Sequence, residues 1–190
     1  LPAPSALHER LRPDLRARSQ EMGVDRIRGL YRSLDPVCLR FVLTAWEQLD
    51  LPSHKGEGLR LDEAVARAGI SAERLPILRS MVRVLVDEGL ARVPNDGFEL
   101  LLDLPHQAPQ RQVCQVDEVA AEAAVLNRCG AGLKDVLLGK IDPVGLLFPE
   151  GDVTLVERLY ETSIESAVVN QTLAQAIVET VSAAGGGRIR

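Results

Sequence analysis

Aromatic residues are scarce in this 190-residue chain. They make up 3% of it, too few for the stacking platforms on which single-stranded nucleic acid lies. Positive charge is not in excess either: the formal net charge is -5, which opposes a general affinity for phosphate backbones or anionic membranes. No apolar run approaches the length of a membrane span, and the amino terminus lacks the pattern of a secretory signal. The cysteines are Cys38, Cys114 and Cys129, with no CxxC pair. Such scattered thiols fit a reduced, cytoplasmic protein rather than a disulfide framework. His8, His54 and His106 lie in polar or proline-rich stretches with no carboxylate or cysteine at ligand spacing, so no metal site is expected. The glycines at 185–187 follow a helix pattern instead of a strand, which makes them a helix terminator and not a phosphate loop.

What is present is an apolar share of 46%, ordinary for a globular chain of one large or two small domains. Residues 1–23, with Pro2, Pro4 and Pro13 among charges, read as a poorly ordered linker. Asp35 followed by Pro36 marks a helix start, with Asp35 as the cap. Cys38, Phe41, Val42, Ala45, Trp46 and Leu49 then trace one apolar stripe, and Leu39 and Leu43 widen it. Residues 61–69 form a short helix with glycine past its end, and a second helix carries Pro76 early, Leu78, Val82 and Leu85 inward, and Gly89 as its stop. Residues 90–93 and 98–101 read as strands around Asn95-Asp96-Gly97, a strong turn sequence. Helix, turn, helix and hairpin together make a winged-helix-like pattern over residues 24–103.

Residues 104–116 read as a connector, and the chain turns helical again from 117 to 184. Val119, Ala123 and Leu126 share a face, and Gly130 and Gly132 end that helix. A short helix closes at Gly139, Asp142-Pro143 starts another turn, and Asp152 caps a helix carrying Leu155, Val156, Leu159 and Tyr160. A last helix uses Val169, Leu173, Ala176, Ile177 and Val181. The expected fold class is mainly α.

Arg79 and Arg83, one turn apart with Arg74 upstream, sit where a winged helix would read DNA. Asp87, Glu88, Asp96 and Glu99 surround them, and the chain is acidic, so a structural or dimer-forming module is the expectation, with no nucleic-acid partner. Read from the residues alone, Phe148 plugs a helix junction and Tyr160 lies on an apolar stripe, both as core.

The run Cys129-Gly130, Leu133, Val136-Leu137, Gly139, Asp142-Pro143, Leu146-Leu147-Phe148-Pro149-Glu150-Gly151, Leu159-Tyr160, Ser163 and Asn170 resembles the segment that precedes the catalytic core in C-methyltransferase domains of modular polyketide synthases. The resemblance covers residues 24–190. It implies that residues 117–184 are a helical lid subregion and that residues 185–190 begin a Rossmann-like core, present at the carboxyl terminus only. It also implies that S-adenosylmethionine and the catalytic base belong to that core, which would follow Arg190, so this chain supplies no catalytic or cofactor-binding residue. Phe148, Tyr160 and Asn170 would lie near a substrate cleft. The implied partners are the methyltransferase core or a neighbouring synthase domain and an acyl carrier protein bearing acyl-phosphopantetheine, with no membrane partner. Three positions depart from the family: Asp152 replaces its serine, Ser163-Ile164 its Ser-Pro step, and Val168-Val169 the aromatic or arginine before the asparagine. They leave open a structural adaptor beside a GNAT-like decarboxylase in a loading module. The third alternative is a winged-helix dimerisation or DNA-binding module.

Overall fold

The computed structural model describes residues 3–105, 119–161 and 163–183. Ten α-helices and a small antiparallel sheet are seen among them. Cys114, His106 and the glycines at 185–187 lie outside the described residues.

Helix α1 (Pro4–Glu21) occupies the stretch expected to be poorly ordered. Pro4 stands at its start, where the missing N–H is no loss, and Leu11 is buried. Helix α2 (Val24–Tyr31) follows, and a 3-10 turn (Arg32–Leu34) leads into α3 (Asp35–Gln48). Leu34 takes the capping position, with Asp35 already in the first turn, so the sequence reading was one residue off. Val37, Val42, Leu43, Ala45 and Trp46 of α3 are buried.

Strand β1 (Gly58–Arg60) was not anticipated from the sequence. It runs into α4 (Leu61–Ala68), which Gly69 ends with φ +65. Helix α5 (Leu75–Asp87), strand β2 (Ala91–Arg92) and strand β3 (Gly97–Leu100) complete the first half. β3 is central, pairing Leu59 with Phe98 on one side and Ala91 with Leu100 on the other. β1 approaches so closely that a Cβ on Gly97 would stand 2.6 Å from the Leu59 carbonyl oxygen, which only glycine permits. Asn95 holds the turn at φ 55, a conformation that asparagine tolerates better than most residues.

The core of this half centres on Trp46 and Phe98, whose rings meet edge-on at 4.9 Å. Trp46 is buried and its indole N–H donates to the Pro52 carbonyl at 2.7 Å, which satisfies the polar end of the ring. Leu78, Leu85 and Leu100 close around the pair. Leu137 joins the same core from the second half, and Ser71 donates its backbone N–H to the Leu137 carbonyl at 2.9 Å.

The second half comprises α6 (Ala120–Ala131), α7 (Leu133–Leu137), α8 (Pro143–Leu147), α9 (Thr154–Glu161) and α10 (Ile164–Ala183). Gly130 lies inside α6 instead of ending it. A Cβ there would stand 2.2 Å from the Phe41 ring, so glycine lets α6 lie against α3. Tyr31 donates its hydroxyl to Glu122 at 2.9 Å and ties the first helices to α6. α1 packs along α10 through polar contacts: Arg18 with Gln175, Gln175 with Asp14 at 2.7 Å, and Arg10 with Glu179 at 3.9 Å.

Candidate functional site

Phe148, Tyr160 and Asn170 belong to consecutive pieces of the second half, and each is placed by a local device. Asp142 accepts from the Gly145 N–H at 3.1 Å, capping α8 and setting the turn in which Phe148 is half-buried. Leu146 from the same turn lies against Gly132, where any Cβ would come within 2.9 Å of it. Glu150 and Gly151 then take positive φ values of 53 and 81, and the chain reverses. Asp152 accepts from the Thr154 N–H at 2.9 Å and starts α9. Hydrogen bonds from the Thr154 side chain and backbone hold the Asp152 carboxyl below the usual carboxylate range. Asp152 therefore braces the start of α9 from one residue before the capping position, which Val153 occupies.

Tyr160 stands in the last turn of α9 and is 63% exposed, which overturns its assignment to the core. Leu155, Val156 and Leu159 carry the half-buried face of α9 instead. Helix ends leave carbonyls without partners, and here α10 supplies them. The Asn170 side-chain amide donates to the Tyr160 carbonyl at 3.1 Å, and the Ser166 hydroxyl donates to the Leu159 carbonyl at 3.2 Å. Ser163, buried in the turn, accepts from the Ser166 N–H at 3.3 Å and caps α10. The structure thus brings Asn170 to the backbone of Tyr160, while Phe148 sits at the opposite end of α9. Sequence reasoning did not single out Ser166, and it named Ser163 only within the resemblance and not as a cap. A serine followed three residues later by another, between two helical patterns, was the available capping signal.

Three of the apolar residues read on the last helix stand in water: Val169, Leu173 and Ile177 are 62%, 57% and 56% exposed. They repeat every four residues and so form one stripe. Val168 is buried on another side of the helix, and Gln175 and Glu179 receive the polar residues of α1.

The three arginines singled out in the first half each meet a carboxylate. Arg79 meets Asp96 at 3.4 Å, Arg83 meets Asp87 at 3.9 Å and Arg74 meets Asp142 at 4.0 Å. His8 is exposed on α1 and His54 lies 3.7 Å from Asp103. Among the described residues no group of three or more His, Cys, Asp or Glu side chains could hold a metal ion, and no helix is long and apolar enough to cross a membrane. Burial raises the thiol pKa of both Cys38 and Cys129.

The structure superposes on the CurJ carbon methyltransferase with a TM-score of 0.83 at 22% identity, covering 96% of this chain and 50% of that one. The chain has the fold of about half a carbon-methyltransferase chain. The DszA carbon methyltransferase matches with a TM-score of 0.69 at 17% identity, over 100% of this chain and 46% of that one. The citrinin polyketide synthase CMeT domain matches at 0.68 and 17%, over 95% and 50%. In sequence, the chain is 27% identical over 156 residues to the pyochelin synthetase PchF of Pseudomonas aeruginosa, covering 78% of this chain and 9% of that synthetase. No family model matches the sequence. The structural neighbours are of the kind that residues 24–190 resemble, and the mainly helical fold with its small sheet is as expected.

Proposed function

We propose that this chain is the amino-terminal, helical cover of a polyketide synthase C-methyltransferase, placed over an S-adenosylmethionine-dependent core that acts on carrier-protein-bound acyl chains. In this reading residues 24–103 are a winged-helix-like subdomain and residues 117–184 the lid. The observation that carries it is the exposed stripe of Val169, Leu173 and Ile177 beside Tyr160. Large aliphatic side chains at helical spacing, left in water, mark a face that another body covers. The fold match supports the reading, because carbon-methyltransferase chains are about twice as long as the part this chain overlays. Tyr160 and Asn170 lie at the α9–α10 turn next to that face, with Asn170 positioning the end of α9, and Phe148 is the substrate-cleft candidate at the other end of α9.

The residues at the candidate site do not form a cradle for S-adenosylmethionine. Asn170 and Ser166 donate to helix-end carbonyls, and Ser163 accepts from the turn's own backbone. The cofactor's charge and adenine would have to be met by other residues of the parent. Calorimetric titration of this chain with S-adenosylmethionine should therefore give no heat of binding. The chain extended by its downstream methyltransferase segment should bind, and micromolar binding by this chain alone would overturn the reading.

A second reading is the structural adaptor beside another synthase domain. Val169, at a position where the family carries an aromatic or arginine, favours it, since valine offers an acyl arm no polar or stacking contact. Pull-down with an acyl carrier protein bearing acyl-phosphopantetheine separates the two, because the adaptor has no need to hold the arm. The third reading, DNA binding, predicts tight, salt-sensitive shifts of duplex DNA at low salt. The net charge of -5 and the missing basic footprint around Arg79 and Arg83 argue against it.

A further inference from the structure

Arg79 and Arg83 have no role in the methyltransferase reading, yet they border a cavity of about 300 Å³ between α5 and the β2–β3 hairpin. Its floor is Leu61, Val82 and Val86, and the hairpin closes one side with Gly97 and Val93. Val93 is 54% exposed, an aliphatic side chain standing at the mouth with little to pack on. The rim carries the two guanidinium groups and Asp96. The lining thus holds two positive charges and one negative in a chain of net charge -5.

The ion pairs that engage the arginines are weak. They are long, 3.4 Å to Asp96 and 3.9 Å to Asp87, and their side chains are between 56% and 83% exposed, so solvent screens them. Each guanidinium has five N–H donors and binds a carboxylate in a planar fork. Residues 79 and 83 are one helical turn apart, so their forks can reach one anion together. An apolar floor beneath such a pair does not suit a phosphodiester backbone. The volume lies at the lower end of small-molecule sites, which run from about 300 to 1,000 Å³ and combine apolar walls with few polar groups.

We propose that this groove binds a small amphipathic carboxylate. An unbranched aliphatic chain of medium length lies on Leu61, Val82, Val86 and Val93, and its carboxylate sits between Arg79 and Arg83. The site is independent of the face on α10.

The test is a titration of the full chain with octanoate, followed through backbone amide chemical shifts. Saturable shifts are expected at Val82, Arg83, Val86, Val93, Asp96 and Gly97. Octan-1-ol, with the same chain and no charge, should bind about tenfold more weakly, the scale of one lost charge-assisted contact. The double variant Arg79→Gln, Arg83→Gln should weaken octanoate by a similar factor and leave octan-1-ol unchanged. Both arginines are exposed, so the fold does not depend on them. Val86→Glu should abolish binding of both compounds with the helical circular dichroism retained. Equal affinity for acid and alcohol, shifts centred on α10, or no saturation in the millimolar range would each overturn the proposal.

Discussion

The core around Trp46 and the helix α10 use aliphatic side chains in opposite ways. Leu78 and Leu85 of α5 are wholly buried against Trp46 and Phe98. Leu173 and Ile177 of α10 keep more than half of their surface in water. α5 is therefore held by burial, the dominant favourable term in folding. α10 is held by polar contacts with α1 and by the capped turn to α9, and its apolar stripe contributes little to this chain's own stability. One region is complete as it stands, and the other presents a face made for something else.

The comparison breaks first, and by most, at Trp46. Trp46→Ala removes the edge contact with Phe98 and the bond to Pro52, and should cost about 3–5 kcal/mol in urea denaturation. Leu173→Ala, at an exposed position, should stay within about 0.5 kcal/mol of the parent. If the two losses were alike, α10 would be part of the core after all. Gly130→Ala comes next. Its methyl group would meet the Phe41 ring, and overpacking of this kind costs about 1–3 kcal/mol by the same measurement.

Smaller effects sharpen the picture of how α10 is held. Ser163→Ala removes a helix cap worth about 1 kcal/mol. Asn170→Ala should cost no more than about 0.5–1.5 kcal/mol, the net worth of one hydrogen bond, with the loss concentrated at the α9–α10 turn in hydrogen exchange. Asp152 gives the smallest change and the clearest pH signature. Its pKa is lowered in the folded protein by hydrogen bonds from Thr154, so its contribution is present above the unfolded carboxylate value of about 4 and fades as pH falls through the lower folded value. Asp152→Asn keeps a capping side chain and should flatten the acid limb of the melting temperature against pH. An unchanged acid limb would mean that the carboxylate itself adds nothing.

Much of the first half was legible because its signals are local. Gly69 and Gly89 stop helices with positive φ, as their positions after apolar patterns implied. Asn95-Asp96-Gly97 makes the hairpin turn, although β2 keeps only two of its four expected residues and β3 is shifted by one. Strand β1 escaped notice because three residues carry no periodicity. It exists only through its pairing with β3, which no local pattern announces. α1 escaped because Pro2, Pro4 and Pro13 among charges read as disorder, yet Pro4 stands at the first helical position, where proline fits, and Pro13 lies inside the helix. α10 was ambiguous for a different reason. It is apolar on several sides, with Val168, Val169, Leu173 and Ile177 all available, and periodicity cannot choose between faces. The choice is made by Asp14 and Arg18 of α1, which approach Gln175 from a distant part of the chain. At the candidate site, the role of Asp152 at the start of α9 was readable to within one residue. The exposure of Tyr160 was not, for it follows from where α10 lies.

Leu137 has a consequence for how the chain can be divided. It fills the Trp46 core from the far side of residues 106–118, and Ser71 is hydrogen bonded to its carbonyl. Severing the polypeptide between residues 105 and 119 would not release two independent bodies. The two fragments would recognise each other as a lock does its own key, and mixing them would restore a single melting transition that neither produces alone.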